Sequence, residues 1–280
     1  MTDETKVDEP KNEFDEFSVE EDAPTANTSE VPKQSEMISF LNEHRQENND
    51  NIAATIMLSD LYVDNKQYKS AIKLLNGLIE KKPSLTLLIQ KLAVIYITLG
   101  ELDNAISVCQ QGLQALPGNV RISMVLASLY EQQKMHAKSV QIYEELHAQQ
   151  PDLHVVNNNL AVLLVENFAT DDNLQRALQL VEPFAGSEQP YYQDTYAWVL
   201  FHMGQGREAA KILNKLIINS SDVPVFRYHM AVVEFEDGNN SRALNEVSQA
   251  IELADQGEKF PERELAEKLK KKIIAKMQGR

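Results

Sequence analysis

One cysteine, Cys109, stands in the whole chain, so no intramolecular disulfide can form and no cysteine-rich metal site is available. That usage suits a reducing compartment. Long apolar runs are also missing: nowhere do the roughly 18 consecutive apolar residues of a membrane-spanning helix occur, and the opening MTDETKVDEPKNEFDEF has neither the basic start nor the apolar stretch of an export signal. The expected place is the cytoplasm, with contact to the inner face of a membrane only through a partner. Basic residues are scarce. Against 42 Asp and Glu there are 27 Lys and Arg, a formal charge of −15, which argues against nucleic acid as a partner and favours a basic one.

Catalytic signatures are absent as well. The six histidines, His44, His136, His147, His154, His202 and His229, form no HExxH pair, and no GxGxxG, GxxxxGK[ST] or GxSxG stretch occurs. Surface or groove positions account for the histidines. Cys109 falls at an apolar helical position, where a thiol behaves as a small, inert hydrophobe. No catalytic residue, no metal ligand set and no cofactor site is expected.

What is present is a 43% hydrophobic chain with an uneven charge distribution. Residues 1–36 hold 12 acidic and 3 basic side chains, net −9, leaving 30 acidic and 24 basic for the remainder. Too few apolar residues lie there to offset the entropy of ordering them, so the segment reads as a disordered acidic tail. It either solubilises the protein or docks on a partner through Phe14 and Phe17 of EFDEFSVEE.

Beyond the tail the chain repeats itself. Pro83, Pro117 and Pro151 are 34 residues apart, as are Tyr62, Tyr96 and Tyr130, and Leu58, Leu92, Leu126 and Leu160. Ala93, Ala127 and Ala161 form a further ladder, and Ala71, Ala105 and Ser139 another. Within one period Leu88, Leu92, Ile95 and Leu99 recur at helical spacing, Gly100 interrupts them, and Ala105, Val108, Cys109 and Leu113 resume before Pro117. Each unit is therefore a helix-turn-helix whose two faces cannot both be buried alone, so the units must stack.

Leu92, Ala93, Tyr96, Gly100, Ala105 and Pro117, with Leu58, Tyr62, Ala71 and Pro83 before them, resemble the tetratricopeptide repeat. The resemblance implies an all-α fold, a right-handed α-solenoid of about six repeats over residues 52–253, starting near Ile52, Thr86, Val120, His154, Pro190 and Pro224. A lone helix over 37–51 precedes it, and FPERELAEKLKKKIIAKM within 259–280 forms a C-terminal capping helix, with Pro261 at its first position and Leu265, Leu269, Ile273 and Ile274 covering the last repeat. The fourth repeat departs from the grid in ENFATDDNLQRA, where Asp171 or Asp172 is available as an N-cap. The last third, with NNNLAVLL and FPERELAE, is similar to bacterial tetratricopeptide proteins associated with exopolysaccharide and protein-sorting systems.

The resemblance also assigns the concave face to positions two, five, nine and twelve of each first helix. Repeats one to three then present Ile56, Asp60, Gln90, Val94, Arg121, Met124 and Ser128, a mixed surface. Asn158 falls at position five of the fourth repeat, where its amide offers donor and acceptor to an extended backbone; Asn159 borders the groove, and Asn157 reads as a solvated helix beginning. Tyr191, Asp194, Trp198 and Phe201, then Tyr228, Val232 and Phe235, line an aromatic stretch, although Trp198 and Phe201 also fit packing between helices or under the C-terminal helix. The carboxylate clamp of tetratricopeptide co-chaperones is absent, since Ile56, Asp60, Lys91 and Val125 occupy its positions. The leading expectation is a non-catalytic scaffold or adaptor that binds a protein or peptide in its groove. The alternative is an architectural subunit of an envelope or polysaccharide-export assembly that uses convex or edge surfaces, its groove filled by its own tail.

Overall fold

In the computed structural model, which describes residues 34–47 and 51–279, the 34-residue period becomes a stack of helical hairpins. Helix α1 (Gln34–Glu47) leads into six pairs: α2 (Ile52–Asp64) with α3 (Tyr68–Lys81), α4 (Thr86–Thr98) with α5 (Leu102–Ala115), and α6 (Val120–Gln132) with α7 (His136–Gln149). Then come α8 (His154–Asn167) with α9 (Asp171–Val181), α10 (Pro190–His202) with α11 (Gly206–Asn219), and α12 (Pro224–Glu236) with α13 (Asn240–Asp255); α14 (Arg263–Met277) closes the stack. All six first helices begin at the residues the grid names. Among the described residues there is no β-strand. Each helix packs on its neighbours in the chain, and among first helices α4 meets α6, and α10 meets both α8 and α12, in keeping with a right-handed α-solenoid. Most of the acidic tail, Phe14 and Phe17 included, lies outside the described residues; Gln34, Ser35 and Glu36 open α1.

The ladders are the interior. Leu58, Leu92 and Leu160 are almost wholly buried, and Ala71, Ala93, Ala105, Ala127 and Ala161 have no exposed surface. Alanine at these sites lets two helices approach, while each leucine fills the space to the next hairpin and contributes roughly 1.5–3 kcal/mol by leaving water. The turn inside a hairpin needs one left-handed residue: Gly100, Gly204 and Gly238 supply it at φ 74, 78 and 85°, but Lys66 and Lys134 occupy it at φ 58° in repeats one and three. Between hairpins, Asn51 and Asn119 cap α2 and α6 by accepting from the N–H of Ala54 and Ile122.

Repeat four differs from its expectation. Thr170, not an aspartate, is the N-cap of α9, its hydroxyl accepting from Asn173 N–H at 3.3 Å. Asp171 and Asp172 sit instead in the first turn, where the helix dipole favours negative charge. A 3-10 turn over Glu182–Gly186 comes next and buries Phe184 completely against Tyr192, ring centroids 4.6 Å apart. At the far end Phe260, Ala266 and Ile273 close over Phe235, Val247 and Ala250. Helix α14 starts at Arg263 with Glu262 as its cap residue, so Pro261 precedes the helix instead of occupying its first position, and Leu265 stays 51% exposed. At the near end Leu41 of α1 packs with Ala54 and Leu58. No helix among the described residues is long and apolar enough to cross a membrane.

Candidate functional site

The three asparagines of NNNLAVLL do three different things. Asn157 is only 4% exposed: its side-chain oxygen meets His147 Nδ1 at 2.7 Å and its amide donates to the Pro151 carbonyl at 2.8 Å. It ties the connection between repeats three and four, which corrects its reading as a solvated helix start. Asn159 donates to the hydroxyl of Tyr143 at 3.3 Å, and Tyr143 in turn donates to Glu131 at 2.9 Å. Burial, with the Glu131 carboxylate adding to it, pushes the Tyr143 hydroxyl far up, so it remains a neutral donor. Asn158 gives its amide N–H to Asn159 at 3.2 Å, while its own oxygen is buried without a hydrogen-bond partner. An unmatched buried acceptor costs roughly 1–3 kcal/mol.

Further along the inner wall a second group assembles around Trp198. Its indole N–H donates to Glu166 of α8 at 3.0 Å, and its ring lies against His229 of α12 at 4.1 Å with 15° between planes. Phe201 lies 5.3 Å from the indole at 22°, and His202 meets it edge-on at 4.8 Å. His229 donates from Nδ1 to both oxygens of Asp194 on α10, at 2.9 and 3.0 Å, and both residues are buried. Burial alone would lower the pKa of that imidazole, but the ion pair and hydrogen bond with Asp194, helped by Glu262 and Glu166, reverse the shift and raise it. His202 has no such partner: burial, then the charge on His229, lower its pKa, and its Nε2 is buried without a partner.

The carboxylates differ from the imidazoles. Glu166 is exposed on one side, yet desolvation by the neighbouring protein raises its pKa; the Trp198 hydrogen bond and the charge on His229 oppose that rise, and Glu262 and Glu131 add to it. The hydroxyl of Tyr228, pushed up to about 12 by burial and by the same two groove carboxylates, Glu166 and Glu262, stays a donor at any physiological pH. Tyr228 touches both His229 and Phe260, at 5.7 and 6.0 Å between ring centroids.

The structure thus distributes the predicted groove residues between two depths. Asn158, Asn159, Phe201 and Tyr228 are half-buried, and Tyr191 is 58% exposed and 5.4 Å from Phe226. Asp194 and Trp198 are buried in the contact between repeats five and six, where they support the wall from behind. Phe235 does not line open groove: it is 4% exposed beneath α14, with Lys272 and Lys276 lying over its ring at 4.9 and 4.5 Å. The capping helix covers the position-twelve side chain that an internal repeat would leave free. Sequence reasoning misses Glu166 altogether and groups His229 with surface or groove histidines. The signal that finds His229 is its register, position six of the last repeat facing position five of the preceding one. Among the described residues no group of three His, Cys, Asp or Glu side chains is arranged to hold a metal ion, and Cys109 is buried with its thiol pushed up to about 12 by desolvation.

The stacked pairs match a known architecture. A tetratricopeptide repeat protein from Parabacteroides merdae superposes with a TM-score of 0.61 at 14% identity, covering 86% of this chain and 92% of that one. The fold is a tetratricopeptide-repeat solenoid. A thermophilic tetratricopeptide protein of Thermus thermophilus shares it, with a TM-score of 0.52 at 17% identity over 71% of this chain and 99% of that one. In sequence, residues 60–195 match the model of the psidin N-terminal tetratricopeptide repeat region. Mouse tetratricopeptide repeat protein 21A is 27% identical over 190 residues, 65% of this chain and 14% of that protein. The tetratricopeptide array here therefore spans about a seventh of the length of that curated relative. These likenesses agree with the role that such arrays generally have, that of scaffolds for protein interaction.

Proposed function

We propose that the array is a non-catalytic scaffold or adaptor that docks an extended protein segment along the inner wall of repeats four to six. The observation that carries this reading is the Asn158 oxygen on the first helix of repeat four, a buried acceptor without a partner, with the aromatic rings of repeat five further along the array. A backbone N–H of a docked segment satisfies that acceptor, the Tyr228 hydroxyl supplies a donor, and Tyr191 and Phe201 give contact area with few rotatable bonds. The wall is acidic, so the segment is basic. No step of this function needs a cofactor. The chain works in the cytoplasm or at a membrane through its partner, and an exopolysaccharide or protein-sorting assembly is the setting that FPERELAE suggests.

The test is recovery of a partner from the native extract with the array as bait. Truncating one hot-spot residue typically costs about 2 kcal/mol, so Asn158→Ala with Tyr228→Ala should weaken capture by on the order of tenfold or more. The helical signal should be retained, because neither residue belongs to the leucine and alanine ladders. Full capture by that double variant, together with loss on Lys138→Glu on the exposed face of α7, would replace groove docking by the architectural role.

A further inference from the structure

Glu166 and Glu262 come from distant parts of the chain, the end of α8 and the residue that caps α14, and the charges of both act on Tyr228 and His229. Glu166 is fixed by the Trp198 N–H at 3.0 Å. Glu262 lies two residues after Phe260, whose ring contacts Tyr228, and its Oε2 is buried without a hydrogen-bond partner. Tyr228, His229 and Trp198 run from Phe260 to Glu166 through consecutive ring contacts of 5.7 and 4.1 Å. Among the described residues, neither glutamate has an ion pair with a lysine or arginine. The nearby imidazole of His229 is already committed to Asp194 at 2.9 Å. Burial raises the pKa of Glu166; the Trp198 hydrogen bond and the charge on His229 oppose that rise, and Glu262 adds to it.

Two carboxylates without a lysine or arginine partner among the described residues, beside the half-buried rings of Phe201 and Tyr228, have one chemical complement. A planar cation satisfies both: its N–H groups donate to the carboxylates and its face lies on an aromatic ring. We propose that this part of the groove is a subsite for an arginine side chain of the docked segment, with the guanidinium between Glu166 and Glu262 against the aromatic wall. The inference rests on the groove reading above and names the side chain that anchors the segment. Lysine fits less well, because an ammonium is a point charge that cannot serve two carboxylates in one plane.

Trp198 is the chain's single tryptophan, so its emission reports on this site alone. The full chain is titrated with acetyl-Ala-Ala-Arg-Ala-Ala-amide and with the same peptide carrying citrulline, which has the shape of arginine without its charge. A saturable change with the arginine peptide is expected, with binding of the citrulline peptide weaker by on the order of tenfold. Glu166→Gln and Glu262→Gln should each weaken the arginine peptide about threefold to tenfold, while Asp60→Asn in the groove of repeat one should leave it unchanged. Glutamine keeps an acceptor for the Trp198 N–H, and unchanged helical signal and melting cooperativity confirm that each variant is folded. Equal binding of the two peptides, insensitivity to both glutamine variants, or no saturable response to either peptide would overturn the subsite. The two readings fail separately. Partner capture lost in Asn158→Ala with Tyr228→Ala but intact in both glutamine variants leaves groove docking standing without an arginine anchor. Arginine-peptide binding that persists while capture ignores the groove leaves the subsite standing without the docking function.

Discussion

Two ion pairs occupy related places at opposite ends of the array, and they behave differently. At the first end Lys91, position six of repeat two, reaches back to Asp60 at 2.7 Å, with the side chains 27% and 51% exposed. At the last, His229, position six of repeat six, reaches back to Asp194 at 2.9 Å, with side chains 10% and 6% exposed. Water screens the first pair, which is worth about 0–1 kcal/mol. The second has shed its water, so each partner depends on the other. One backbone position therefore serves as surface decoration in one half and as part of a buried polar wall in the other. The scaffold is common to both halves, whereas the groove chemistry is concentrated in the second.

The ends of the array give the largest contrast. Removing residues 259–280 uncovers Phe235 and Val247 and deletes Phe260 and Ile273. At roughly 1.5–3 kcal/mol for each buried apolar side chain, melting should fall by on the order of 10 °C or the protein should aggregate. Removing residues 1–33 should leave melting nearly unchanged, since α1 and its Leu41 contact remain. Thermal unfolding of the two truncations checks both. Equal stability of the C-terminal truncation would show that α14 is not a cap.

The ion pairs themselves come next. Asp194→Asn strands a buried imidazole and should cost on the order of 3 kcal/mol near pH 6, whereas Asp60→Asn should stay within about 0.5 kcal/mol. The two also differ in pH dependence. The folded pKa of His229 is raised above its ordinary value of 6.5, so the stability it contributes is complete below that value and lost as pH rises through the folded pKa. The gap in melting temperature between the parent and Asp194→Asn should therefore shrink from pH 6 to pH 9. Glu166, Glu262 and His202 face the same pair and are present in both proteins, so the difference removes most of their effect. A gap that stays constant from pH 6 to pH 9 would mean that His229 is neutral throughout.

The smallest effect concerns the turns. Lys66 and Lys134 hold the left-handed position that Gly100, Gly204 and Gly238 fill elsewhere. Replacing either lysine with glycine should stabilise the chain by about 1 kcal/mol or less, because relief of steric strain is partly offset by the freer unfolded chain. Chemical denaturation of Lys66→Gly and Lys134→Gly is the measurement, and a loss of stability in both would show that the lysine side chains hold these turns by another means.

The period made the scaffold legible, and departures from the period hid the site. Leucine and alanine at 34-residue spacing are enough to place six hairpins, since a stack permits few other ways of burying those faces. The irregular parts did not yield in the same way. Thr170 displaces the aspartates as a cap because repeat four has its own turn, and Asn157 escapes solvent because His147 of the preceding helix reaches it. Phe235 changes role because the array ends there, and no repeat grid encodes the segment beyond its last unit. His229 is visible as a residue but not as a partner. Its meaning depends on Asp194, 35 residues earlier, and a pair that arises only when two repeats stack has no local signature.

The helices of this protein touch only near neighbours along the array, and that has an evolutionary consequence. A mutation in one hairpin is felt by the hairpins beside it and fades beyond them. The unit from Thr86 to Asn119 can thus be duplicated or lost as one exchangeable brick, with the inner wall of the last three hairpins left as it was. Lineages can lengthen or shorten such a molecule without altering that inner wall.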